Sequence, residues 1–171
     1  AFVIHPLSTE YFKNVEPLGF VTNIPGMTQV VEKTVAYIPP FVYSHVTGIV
    51  SDTGDEAEGW LITVGGTPKE MLAHPPEFTY SRLLDAAELS RRLGAQIMGL
   101  GAFTKVVGDA GVTVAKQAKL PVTTGNSYSA SGALWAAGDA LRRLGIAEVD
   151  DDGVVHGKTM VVGASGAIGA A

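Results

Sequence analysis

The sequence predicts an α/β fold with a mainly parallel sheet and one antiparallel hairpin, and three observations predict it. Twice in the second half, apolar positions at helical spacing give way to a short apolar run of strand length. Two stretches rich in β-branched and aromatic residues in the first half are joined by a segment of Asp, Glu and Gly. Near the end, an apolar run leads straight into closely spaced glycines.

The clearest helix starts at Thr79, with Leu83, Ala86, Ser90 and Leu93 on one stripe. Gly94 stops it after Arg91 and Arg92, cations that suit the carboxyl end of the helix dipole. Ala95 to Leu100 is then too short for a helix and reads as a buried strand. The pattern repeats with a helix from Thr113 to Lys119, an extended piece from Leu120 to Thr123, and a helix from Ser127 to Leu144. That last helix carries Leu134, Ala137, Leu141 and Leu144 on one side, and Gly145 closes it. Phe41 to Val50 and Trp60 to Val64 read as an antiparallel pair connected through Ser51 to Gly59. Pro25-Gly26, Pro39-Pro40, Gly65-Gly66 and Pro75-Pro76 break the rest of the first half into short pieces.

With 171 residues, 46% of them hydrophobic, the chain can bury about 70% of its unfolded surface and support a real core. Twelve Lys and Arg against seventeen Asp and Glu, with no long block of either sign, disfavour nucleic acid and membrane surfaces as partners. No integral membrane segment or targeting leader is read, so the expected location is cytoplasmic. The absence of cysteine excludes disulfides and thiolate chemistry from these residues. His5, His45, His74 and His156 are scattered without metal-ligand spacing and read as structural or surface groups, so no metal is expected.

The densest signal is Gly163-Ala-Ser-Gly166-Ala-Ile-Gly169 after an expected strand, Thr159 to Val162. In such a turn the first glycine allows the tight bend, the second lets backbone approach a pyrophosphate, and the third permits close packing. Amides at the following helix start would hold the phosphates, and Ser165 adds a hydroxyl. Gly163, Ser165, Gly166, Ile168 and Gly169 are therefore the candidate cofactor residues, with NADP expected and NAD possible. The residue that chooses between them is expected about 20 positions further on. The expected organisation is a substrate-side domain over residues 1–149, a linker over 150–158 and the start of a dinucleotide-binding Rossmann domain over 159–171. On this reading the residues are the front part of a longer chain and inactive alone, because one strand and half a helix cannot bury their own apolar faces.

Val46-Thr-Gly48, Leu93-Gly94, the Gly99 to Phe103 turn, Thr123-Thr-Gly-Asn126 and Gly163 to Gly169 together resemble the cyanobacterial-type long-chain acyl-[acyl-carrier-protein] reductases. The resemblance extends from Val46 to Gly169. It implies a two-domain oxidoreductase that reduces a fatty acyl thioester, carried on acyl carrier protein or coenzyme A, to an aldehyde with NADPH. It also implies a covalent thioester on a cysteine in the later part of such enzymes. The layout is similar to that of shikimate and related dehydrogenases as well, in which Lys105 would be the relay lysine. There Asn126-Ser127-Tyr128 lacks the acid that Asn-Thr-Asp would place. A third reading is a non-catalytic dinucleotide sensor, which would use the same glycines without redox chemistry. A homo-oligomer is compatible with all three.

Strand ends in open α/β sheets line the ligand cleft. Phe103, Thr104, Lys105, Thr124, Asn126 and Tyr128 are therefore the candidate cleft residues, with Lys105 as the catalytic candidate. Each has a plainer alternative: a solvated lysine for Lys105, a helix N-cap for Asn126 or Ser127, strand propensity for Thr123 and Thr124, and packing for Tyr128. Trp60 and Trp135 are expected to fill core.

Overall fold

The computed structural model describes residues 1–13, 18–101, 108–166 and 168–170. The chain parts into two compact units, Ala1–Thr124 and Gly125–Ala171.

The first unit is built on a five-stranded sheet in the order β2-β3-β1-β4-β5. Its central strand, β1 (Phe2–Ile4), lies within the apolar run Ala1 to Ile4, and its three-residue length hides it from any periodicity argument. It pairs in parallel with β3 (Glu56–Thr63) on one side and β4 (Met98–Leu100) on the other. β5 (Val122–Thr123) continues the parallel set beyond β4. β2 (Phe41–Val50) joins β3 antiparallel at the edge, with register shifts between Val42 and Ser44 and between Val46 and Ile49. The α/β class with a mainly parallel sheet and one antiparallel hairpin is thus what the chain adopts. The hairpin connection is tighter than the expected Ser51 to Gly59. Ser51 N–H donates to Asp55 O and Gly54, at φ +86, donates to Ser51 O.

One face of the sheet carries the core. Val3, Ile62, Val64, Met98 and Leu100 meet Met71, Leu83, Ala86, Ala87, Val114 and Leu120. These come from α4 (Pro68–Ala73), α5 (Pro76–Arg92), α6 (Val112–Gln117) and the approach to β5. Thr79, Leu83, Ala86 and Ser90 form the buried stripe of α5, and Ser90 Oγ returns its hydrogen bond to Ala86 O at 2.7 Å. Gly94, at φ +91, ends the helix in the left-handed conformation expected of it. Helices α1 (Glu10–Lys13), α2 (Leu18–Thr22) and α3 (Met27–Val35) contribute a smaller cluster of Phe12, Val31 and Val35.

Gly99 and Gly101 have a steric cause. The Phe2 ring lies against both, and a Cβ on either would come within 2.6 Å of it. Gly65 is forced in another way, since a Cβ there would run into the Val35 carbonyl oxygen. Ahead of α6, Asp109 Oδ2 accepts from Thr113 N at 2.9 Å and Thr113 Oγ1 at 2.6 Å. Asp109 N–H in turn donates to Tyr80 Oη at 3.2 Å, tying the start of α6 to α5.

The second unit begins with Gly125 at φ +69 and α7 (Asn126–Leu144), closed by Gly145 at φ +64. Its periodicity marks an apolar side, but no residue of α7 is buried. Trp135, expected in the core, is 79% exposed, and Leu134 and Leu144 are exposed as well. Trp60 by contrast packs against the core cluster and stacks on His45 with ring centroids 5.2 Å apart. Asp150-Asp151-Asp152-Gly153 is the turn of a small hairpin between β6 (Glu148–Val149) and β7 (Val155–His156). Asp150 holds it, accepting from Val154 N at 2.8 Å and facing His156 Nε2 at 3.0 Å. No helix among the described residues is long and apolar enough to cross a membrane.

Gly99→Ala is expected to destabilise the protein by about 1–3 kcal/mol through the clash with Phe2. In a Phe2→Ala background the same change is expected to cost markedly less, and additive unfolding free energies in the four-protein cycle would show that the ring is not the cause. The Thr113 hydroxyl bond holds the Asp109 carboxyl below its ordinary 3.8. The stabilisation it gives is therefore complete above that value and lost as pH falls through the lowered one. Amide exchange in α6 should show this acid-side loss, and Asp109→Asn should abolish the pH dependence.

Candidate functional site

Where an open parallel sheet reverses strand order, the crossover connections leave in opposite directions and a crevice opens at the carboxyl ends of the strands. Here the reversal is at β1: the parallel chain runs from β1 to β3 on one side, then to β4 and β5 on the other. Two segments therefore meet at the mouth, His5-Pro6 after β1 and Gly101 after β4. The ladder holds them together, with Gly101 N–H donating to Val3 O at 3.0 Å and Val64 N–H to Ile4 O at 3.0 Å. His5 is buried, 7% exposed, with Nδ1 2.9 Å from Pro6 O. Sequence reasoning treated His5 as structural or surface, because its place depends on a strand that has no sequence signature. The signal available was its position directly after an apolar run, as for Gly101 and Thr124.

Of the expected cleft residues, Phe103, Thr104 and Lys105 lie outside the described residues. Thr124 is half-buried beyond the end of β5, with its methyl near Gly111. Asn126 is the first residue of α7, and the N-cap is Gly125 in a left-handed conformation with no side-chain cap bond. The cap alternative for Asn126 and Ser127 is thus corrected: with φ positive at residue 125 the chain enters the helix one residue early, and glycine takes the cap position. The packing alternative for Tyr128 is corrected too, since its side chain is 86% exposed.

The glycine turn is formed in part as expected. Gly163 is at φ +82, the tight bend only glycine makes easily. Gly166 N–H donates to Gly163 O at 2.8 Å and Ala170 N–H to Gly166 O at 2.9 Å. A Cβ on Gly169 would strike the Gly163 carbonyl oxygen, and one on Gly166 would approach it to 3.2 Å. Gly163 and Gly169 are therefore demanded by the turn, whereas a side chain at Gly166 asks only for a shift of a few tenths of an ångström. Ser165 is exposed and Ile168 is 45% exposed. Among the described residues, the N–H groups of Ala164 and Ser165 enter no backbone hydrogen bond.

The expected strand Thr159 to Val162 does not form. Residues 159–161 are irregular, Val162 starts the turn, and Met160, Val161 and Val162 are exposed. β-branched residues favour a strand only when a neighbour takes up its backbone groups. Among the described residues none pairs with this segment. The dinucleotide reading consequently rests on the turn itself, without the strand that framed it. No group of three or more His, Cys, Asp or Glu among the described residues could hold a metal ion.

No family model matches the chain. A segment of 81 residues, 47% of the chain, is 37% identical to the Aminotransferase PigE of Serratia sp. (strain ATCC 39006) and spans 9% of that protein.

Proposed function

We propose that the chain belongs to an NADP-dependent oxidoreductase that reduces an acyl thioester, presented on acyl carrier protein or coenzyme A, to an aldehyde. The observation that carries this reading is the glycine turn, with Gly163 bent at positive φ and the amides of Ala164 and Ser165 left open beside it. A diphosphate needs backbone donors in a concave, side-chain-free turn, and these residues fit that need. Gly163, Ser165, Gly166, Ile168 and Gly169 would hold the cofactor, and NAD would be held by the same atoms.

Reduction of a thioester to an aldehyde requires one hydride at the acyl carbon and one proton at the departing sulfur. NADPH supplies the hydride when bound. This chain's own contribution would be binding and orientation: Thr124, just after the last parallel strand, and Asn126, the first residue of α7, are the candidate substrate-binding residues. Lys105, which comes after β4 in the sequence, is the candidate proton carrier. The thiolate that such chemistry uses as a nucleophile is not among these residues, which contain no cysteine. The amino-group transfer in the name of the Serratia protein belongs to that protein as a whole, and an 81-residue match lends this chain no transferase site. The shikimate-dehydrogenase-like reading uses the same lysine and takes a hydroxyl or ketone substrate instead.

Full-length protein is expected to oxidise NADPH on addition of a fatty acyl thioester and to release an aldehyde. NADPH binding without oxidation, with thioesters and with hydroxy acids alike, would favour a sensor. Gly166→Val should weaken NADPH binding at least about tenfold by blocking approach of the diphosphate, and unchanged affinity would remove the main support for the cofactor. Lys105→Ala is expected to lower kcat with little change in the NADPH dissociation constant; normal turnover would return it to a solvated lysine.

A further inference from the structure

Buried polar side chains in folded proteins nearly always have a hydrogen-bond partner, so an orphan asks for an explanation. Among the described residues four such atoms have none: Thr63 Oγ1, His74 Nε2, Thr79 Oγ1 and Arg82 Nε. They are not scattered. All four fall between the last residue of β3 and the second turn of α5.

Phe78 contacts two of them. Its ring centroid is 4.4 Å from that of His74, and the Arg82 guanidinium carbon lies 5.3 Å from it. Phe78, Thr79 and Arg82 together with Gly65 and Gly66 line a cavity of about 10 Å³ that is partly open to solvent. That is room for one water-sized group. The cavity lies at the carboxyl end of β3, the end of a parallel sheet where ligands bind.

The polar groups at this corner are donors. Arg82 Nε–H can only donate, and the Thr79 hydroxyl, 2% exposed, is free to do so. Gly65 and Gly66 are buried, and their backbone N–H groups enter no backbone hydrogen bond among the described residues. Gly66 stands at φ +104, a backbone that turns amides toward a common concavity. Of the buried carboxylates nearby, Glu32 is matched to other groups, accepting from Thr67 Oγ1 at 2.5 Å with Lys69 Nζ at 4.0 Å, while Glu70 stands 3.9 Å from His74 Nε2, beyond hydrogen-bond reach. Besides the Phe78 ring, Arg82 has only the exposed Asp85, at 4.0 Å, as an ion-pair partner among the described residues. A guanidinium with a weak ionic partner thus lines a mostly apolar recess together with Thr79, and in such surroundings an anionic oxygen gains more from a donor than it would in water.

We propose that the recess between Gly65-Gly66 and the first two turns of α5 binds one anionic oxygen of a carboxylate or phosphate, with Thr79 and Arg82 as its side-chain donors. The site is independent of the glycine turn and of the redox reading.

Inorganic phosphate and, separately, acetate are titrated into the protein at constant ionic strength, with calorimetric binding and the thermal midpoint as readouts. Saturable binding of either, with a rising midpoint, is expected, and the anion that acts identifies the headgroup. Thr79→Val and Arg82→Gln should each weaken that binding by about tenfold or more, as loss of a hydrogen bond to a charged group requires. Arg82→Gln alters a partly exposed side chain and keeps the test open if Thr79→Val folds poorly. No saturable response to either anion overturns the proposal. So does binding undiminished in both variants, which means an adventitious ion only. A Thr79→Val protein that is more stable and equally indifferent to both anions overturns it as well, leaving a recess for buried water.

Discussion

The two-sided pairing of β1 is the constraint on which the ligand edge depends. Its three residues take parallel partners on both flanks, and a parallel pair cannot be closed by a tight turn. Each neighbour must therefore return over a long connection, through α1 to α3 and β2 before β3, and through α4 and α5 before β4. The reversal of strand order at β1 follows from that routing. It brings His5 and Gly101 from distant parts of the sequence to one mouth, with Gly65-Gly66 next along the same edge.

Much of this was legible in the residues, and the failures share a cause. α5 and α7 were read nearly to their ends because each stops at a glycine that adopts positive φ, Gly94 and Gly145. β2 was read to the residue because a stretch with seven β-branched or aromatic residues in ten is bounded by Pro39-Pro40 and a polar turn. β1 was missed because three apolar residues carry no period, and with it went the significance of His5. Thr159 to Val162 failed in the opposite sense, since strand propensity describes a residue's fit to a sheet and cannot supply the neighbouring strand. Trp135 failed similarly: periodicity tells which side of α7 is apolar and says nothing about what covers it.

The glycines show why motif matching needs structure before it yields function. Gly99 and Gly101, which belong to the family resemblance, make room for the Phe2 ring, so their presence has a packing cause that involves no ligand. Gly163 and Gly169 are each required by the turn's own backbone, one through φ and one through the Gly163 carbonyl, and Gly166 is only closely approached by that carbonyl. Glycine spacing thus specifies the shape of the turn. The argument for a diphosphate comes from what the shape leaves unused, the open amides of Ala164 and Ser165.

The same reasoning connects the turn to the corner beside β3, although the two rest on different physics. In the exposed turn, unused amides are satisfied by water, so leaving them open costs little and a ligand must compete with solvent. At the corner the orphan atoms are buried, and each hydrogen bond left unmade there costs about 1–3 kcal/mol. An arrangement that keeps Thr79 Oγ1 and Arg82 Nε unsatisfied around one recess needs a compensating partner more urgently than the turn does. Burial therefore makes the corner the more constrained of the two sites: few groups other than one oxygen-sized acceptor fit it, whereas the turn's specificity must be supplied by whatever surrounds it.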